Sequence, residues 1–290
     1  MPDPTTVTLA TATPGGGFPL YGGVVAEVVA ATDPSLAVEC RNTKGSTENV
    51  PLLEAGSVDL GLVTGEVAIE PLARNSGLSI AAAMYSTAGM FVVRGDSPAR
   101  RIADLTGKPV AFGASGSGLV ILARYVLDGI GFDIERDFTA IYLDRAGDGP
   151  DMVLDGRAAA LWGGGIGWPG FTRVTEAGGR FIAPDAGEAA RIRAKHSFLK
   201  PLTVPAGAYP GQDAAIDSVG SWSFILARPG LPDDTGYRVA RALHHGAAQL
   251  AEKLDQAKET IAANTAAAAP DPSLIHPGVA RFLHEIGVLG

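Results

Sequence analysis

The chain has 290 residues, 46% of them hydrophobic, which excludes disorder as its main state and leaves room for one large domain or two lobes with real cores. A formal charge of -8 and a pI near 5.1 argue against nucleic acid or an anionic membrane as the main partner. Cys40 is the sole cysteine, so no intramolecular disulfide forms, and no apolar run approaches the roughly 18 residues of a membrane span.

Val7–Ala12 reads as a strand. The loop Thr11–Phe18 follows, carrying Thr13, Gly15, Gly16 and Gly17, and then a helix from about Phe18 to Ala31, where Val24, Val25, Val28 and Val29 recur at helical spacing. Ala37–Arg41 reads as the next strand, with Cys40 expected to be a buried, inert thiol. A second loop, Asn42–Asn49, leads into a short helix over Thr47–Ala55, with Ser46 as its N-cap and Asn49 three positions on. Gly56 stops that helix, and Val58–Val63 reads as a buried strand. This β-α-β-α-β order predicts an α/β fold with a parallel sheet and a ligand beyond the carboxyl ends of its strands.

Leu78–Tyr85 and Gly89–Arg94 read as a strand pair, and Ser97–Leu105 as a short helix. Lys108–Gly113 opens a new βα unit through the loop Gly113–Gly118, which carries Ser115, Gly116 and Ser117, into a helix over Leu119–Gly129. Ile141–Leu143 is a strand, Gly147–Asp155 a helix, and Ala158–Trp162 a strand entering Gly163–Gly165. The repeated order predicts a second lobe. Ser221–Arg228 reads as a strand, Asp234–Leu254 as a long helix, Ala262–Ala269 as helix or loop, and Gly278–Glu285 as the last helix. Met90–Asp96 and Phe224–Gly230 have similar surroundings and read as crossovers. The expected lobes are 5–92 plus 222–290 and 97–218, with crossovers near 91–96 and 219–228 and a ligand cleft between the lobes.

Three small-residue loops, each running into a helix N-terminus, offer unpaired N–H groups and partial positive charge to a carboxylate-like ligand. Catalytic patterns are missing. None of the five histidines lies in an H-E-x-x-H arrangement, and no Cys–His pair has zinc spacing. Gly113–Ser117 departs from a nucleophile elbow at its fifth position, and Gly15–Gly17 is neither a dinucleotide fingerprint nor a Walker loop. The expectation is a binder without catalytic residues, metal or cofactor. Arg41 and Lys44 beside the second loop either pair with a carboxylate or are solvated surface groups. Arg145, at a strand end, has the planar fork that suits bidentate carboxylate recognition. Phe18, Tyr85 and Trp162 sit near the presumed mouth and are either core or the walls of a slot for an apolar ligand body. Glu66 is structural or meets a cation.

The strings T-x-T-x-G-G-G-F, T-K-G-S-T-E-N, L-L-E-A-G-x-V-D-L-G-L-V, G-A-S-G-S-G, A-G-A-Y-P-G-Q-D and L-x-H-P-G stand in this order along the chain. Over Val7 to Gly287 it resembles the TAXI-type solute-binding proteins, extracytoplasmic receptors of one branch of the tripartite (TRAP) transporters. The resemblance implies a type II periplasmic-binding-protein fold, two α/β lobes joined by two crossover strands around a closing cleft. It also implies a small organic acid as ligand, a membrane permease as partner and a periplasmic or extracytoplasmic location; the chain is expected to be a monomer. Carried over position by position, Thr11, Gly15, Gly16, Gly17, Phe18, Ser46, Asn49, Tyr85, Ser115 and Ser117 are the implied contacts. Gly17 and Phe18 stand where many members have Thr-Tyr, and Thr64 where Gln is common, which points to a more apolar guest such as an aromatic carboxylate. Two other readings stay open: an enzyme on the same scaffold, and a cytoplasmic carboxylate sensor. The opening Met1–Thr6 lacks a basic segment and an apolar h-region, so the chain reads as cytoplasmic or as a mature secreted form.

Overall fold

A computed structural model describes residues 4–290; Met1–Asp3, part of the opening read above for a targeting signal, lies outside the described residues. The chain begins with β1 (Thr5–Ala10), α1 (Gly17–Thr32), β2 (Leu36–Arg41), α2 (Ser46–Glu54), β3 (Leu60–Thr64) and α3 (Gly65–Ala73). It continues through β4 (Ser79–Ala88), β5 (Met90–Val93), β6 (Pro109–Gly113), α4 (Gly118–Gly129), α5 (Ile134–Asp137) and β7 (Thr139–Tyr142). Next come α6 (Gly149–Leu154), β8 (Ala160–Gly163), α7 (Pro169–Glu176), β9 (Arg180–Ile182), α8 (Ala186–Lys195) and β10 (Lys200–Val204). It ends with β11 (Ile216–Ala227), α9 (Asp233–His245), α10 (Ala247–Lys253), α11 (Ala262–Ala268) and α12 (Pro277–Glu285).

Two compact units result. One takes the chain up to Ala12, Phe18–Tyr85 and Trp222–Gly290; the other takes Thr13–Gly17 and Ser86–Ser221. The chain therefore leaves the first unit inside β4 and returns inside β11.

In the first unit β1 pairs in parallel with β2 and β3, and the second half of β11 lies antiparallel to β3, with Ser223 opposite Thr64 and Ile225 opposite Leu62. Both faces of this sheet are covered, as a parallel sheet requires. Tyr21, Val25, Val28 and Val29 of α1 bury against Val7, Leu9, Leu60 and Leu62 on one face. Leu53 of α2 and Leu72 of α3 pack with Val63, Phe224 and Leu226 on the other. In the second unit the strand order is β7-β6-β8-β5-β9, with β6 parallel to β7 and β8 and with β5 antiparallel to both its neighbours. There β10 forms an antiparallel pair with the first half of β11.

Several expectations change. Cys40 is exposed, because β2 is the sheet's edge strand and buries only Leu36 fully. Ser46 is the first residue of α2, and the cap position belongs to Gly45 at φ 112°, a backbone angle that glycine adopts without strain. The long helix expected over Asp234–Leu254 breaks at Gly246 into α9 and α10. Met90–Val93 lies wholly within the second unit's sheet. Helices α3, α5, α7 and α8 and strands β9 and β10 add to the expected elements.

Asp33 fastens the end of α1 to α9. Its nearly buried carboxylate accepts from Arg238 Nε at 2.9 Å and Nη2 at 3.1 Å, and from the Ser35 hydroxyl at 2.7 Å. The Arg238 guanidinium, aided by Ser35, holds this carboxyl well below the usual carboxylate range. A carboxyl depressed on folding stabilises fully above its unfolded value near ~4 and loses that contribution as pH falls through the folded value. Asp33→Asn is expected to cost about 1–3 kcal/mol at neutral pH. Urea titrations at several pH values should show the gap to the wild type closing below about pH 4.

Candidate functional site

The first unit's polar cluster forms where β1 and β3 end. The β1–β3 ladder stops at the pairs Leu9–Leu60 and Ala10–Gly61, so the carbonyls of Thr11 and Leu62 extend beyond it. Asn49, fully buried in α2, supplies what the ladder lacks: its Nδ2 donates to Thr11 O and Leu62 O, each at 2.8 Å. Its Oδ1 accepts from the Thr43 hydroxyl at 2.7 Å, and Thr43 Oγ1 in turn accepts from the Gly45 amide. Thr11 Oγ1 donates to Arg41 O at 3.2 Å. Ser46 Oγ accepts from the Thr64 amide at 3.1 Å, and the Glu48 carboxylate accepts the Lys44 amide. Second-loop residues thus lock the ends of two strands together, and the ammonium of Lys44 is exposed with no partner among the described residues.

Two hydroxyls of this cluster remain unused. Thr64 stands at the N-cap of α3 but gives its helix no side-chain bond, and its Oγ1 is buried without a partner among the described residues. Ser223, directly opposite on β11, is buried with its Oγ equally unpartnered. Ser223 was missed from sequence. The alternation of Ser221, Ser223, Ile225 and Ala227 along a strand would have marked a polar residue on a core-facing row. Glu66 is also buried, in the first turn of α3.

In the second unit, Gly15 has φ 81°, and a Cβ placed there would lie 2.8 Å from the backbone nitrogen of Gly147. Both the dihedral and the contact exclude a side chain at Gly15. Thr13 O accepts the Gly16 amide at 3.2 Å, which tightens the turn ahead of Gly17. Arg145, two residues before Gly147, is exposed, and its guanidinium has no partner among the described residues. Ser117 caps α4 by accepting the Leu119 amide at 3.2 Å, Gly116 is buried, and Ser115 is exposed. The structure therefore brings the Thr13–Gly17 loop beside the Arg145–Gly147 segment.

The aromatic candidates divide. Phe18 is half-buried against the first core. Tyr85 packs edge-on to Tyr21 with centroids 5.4 Å apart, and burial pushes its hydroxyl pKa up. Trp162 is 1% exposed, stacks edge-on to Phe91, and donates its Nε1 hydrogen to Leu119 O at 2.7 Å. Both Tyr85 and Trp162 are core residues whose polar atoms have internal partners.

Among the described residues, no helix is long and apolar enough to cross a membrane. Solved structures share the fold. The alkanesulfonate-binding protein SsuA from Xanthomonas axonopodis pv. citri, bound to MOPS, is 17% identical with a TM-score of 0.51, over 98% of this chain and 85% of that one. Periplasmic binding protein BugD is 15% identical with a TM-score of 0.59, over 99% of each chain. A Bordetella bronchiseptica RB50 protein is 15% identical with a TM-score of 0.61, over 97% of this chain and 98% of that one. The fold is the two-lobed α/β fold of the periplasmic binding proteins. A model of the NMT1-like family matches residues 9–287, and the chain belongs to that family.

Replacing Asn49 by Ala would take a buried donor from the Leu62 carbonyl and leave the Thr11 carbonyl to the Thr43 hydroxyl. The expected cost is about 2–4 kcal/mol, read as a lower urea midpoint at unchanged slope.

Proposed function

We propose that this member of the NMT1-like family is an extracytoplasmic receptor of the TAXI type, serving a tripartite transporter. In this reading it captures a small organic acid in the cleft expected between its lobes and passes it unchanged to a membrane permease. The observation that carries the reading is Arg145. In a chain of net charge -8 its guanidinium has no carboxylate partner among the described residues, and it stands at a strand's carboxyl end beside a glycine-rich turn. An exposed guanidinium at such a place is a ready clamp for a carboxylate. The amino end of α4 lies in the same unit and adds partial positive charge. The likeness to an alkanesulfonate-binding protein bound to MOPS supports an anionic guest.

Thermal unfolding with a panel of aliphatic and aromatic mono- and dicarboxylates tests this. A true ligand at about 100 times its Kd stabilises the protein by roughly 2.7 kcal/mol. Arg145→Gln should weaken that ligand at least about tenfold and leave the melting temperature of the free protein unchanged. A panel that shifts nothing would count against the receptor reading.

A further inference from the structure

We propose that Thr64 and Ser223 form a specificity-determining hydroxyl pair that receives an uncharged oxygen of the guest, so that the ligand is a hydroxy- or oxo-acid rather than a plain carboxylate. This rests on the receptor reading above.

The register of β3 and β11 sets Ser223 opposite Thr64. Residues opposite each other in an antiparallel pair project to the same face with Cβ atoms about 4.5–5.5 Å apart, close enough for two hydroxyls to converge on one oxygen. Earlier along the same row, Leu62 and Ile225 belong to the first core, so the pair is where that face turns from apolar to polar. Ser223 is 0% exposed and Thr64 4% exposed, and neither hydroxyl has a partner among the described residues. Buried hydroxyls are nearly always bonded, so two unpaired neighbours at one strand end call for an explanation. Neighbouring groups are already spent: Asn49 on strand carbonyls, Thr11 on Arg41 O, and Ser46 on the Thr64 amide. That last bond also fixes Thr64 in place.

Charge decides which end of an acid this wall accepts. Of the buried polar residues, Thr11, Ser46, Asn49, Thr64, Glu66 and Ser223 belong to these strand ends and loops and none is a cation, whereas Lys44 of the second loop, whose ammonium has no partner among the described residues, is exposed. A carboxylate lodged there would lose its hydration without a countercharge, which is costly. A hydroxyl or carbonyl oxygen fits, because serine and threonine hydroxyls both donate and accept.

Calorimetric titration of the full chain with matched probes tests the pair: propionate with lactate and pyruvate, succinate with malate, and benzoate with 4-hydroxybenzoate. In at least one set the oxygenated acid should bind about tenfold or more tightly than its deoxy partner, as expected for a site built to bond an oxygen. Ser223→Ala should remove that advantage while the deoxy partner's Kd stays within about twofold; Thr64→Val should act alike. Equal affinities within every set that binds, or an equal loss for both partners in S223A, would overturn the pair's role and leave the receptor reading standing. Binding of no probe at all would overturn both. The melting temperature of the free S223A protein should be unchanged or higher, since an unpartnered hydroxyl has been removed. A clear fall would assign Ser223 a structural bond and overturn the proposal.

Discussion

The amide of Asn49 meets a demand that parallel strands create and cannot satisfy themselves. Where β1 and β3 outrun their short ladder, the carbonyls of Thr11 and Leu62 are buried and need donors. One side chain provides both bonds, and its own oxygen is held by Thr43, which also steadies the turn at Gly45. The second loop, the start of α2 and the ends of two strands thereby become one rigid piece. Ser46 joins α3 to that piece through the Thr64 amide. A polar cluster is useful for recognition only if its unspent groups stay put, and this bonding holds them.

The polar groups fall into two sets. Asn49, Thr11, Thr43 and Ser117 are consumed by the fold. Thr64, Ser223, Lys44, Ser115 and Arg145 are not, whether buried or exposed. The unspent hydroxyls of Thr64 and Ser223 are buried and carry no charge, whereas the unspent cations, Lys44 and Arg145, are exposed. That division suits a guest with one charged and one neutral polar end. It also shows why the net charge of -8 does not forbid an anionic ligand: local unpaired donors outweigh a distant sum of screened charges.

The first three strands and the first two helices were legible within a few residues, because glycine- and hydroxyl-rich loops punctuate them and α1 carries its valines at helical spacing. So was the α/β class with its second, repeated lobe. What was lost had physical causes. Helix α3 contains Pro71 and starts at glycine, so its local signals read as a break while packing of Leu72 holds it helical. Helix α8 buries little beyond Ile192 and lacked an apolar stripe, although the Asp185–Glu188 capping box announced it. Cys40 was read from residue type alone, and an edge strand does not bury its outer residues. Of the candidate site residues, the glycines and Arg145 were named from the sequence as candidates. The role of Asn49 could not, since the carbonyls it serves lie 38 and 13 residues away. Ser223 was hidden for the same reason, as its neighbour Thr64 is near only through strand pairing.

The central claim is that this chain holds a small acid and leaves it chemically unchanged. Native mass spectrometry of the protein incubated with an acid, followed by denaturation and weighing of the released guest, tests it most directly. A one-to-one adduct whose guest returns at its original mass is expected. A guest that returns altered, or a protein that carries no acid under any loading condition, would contradict it.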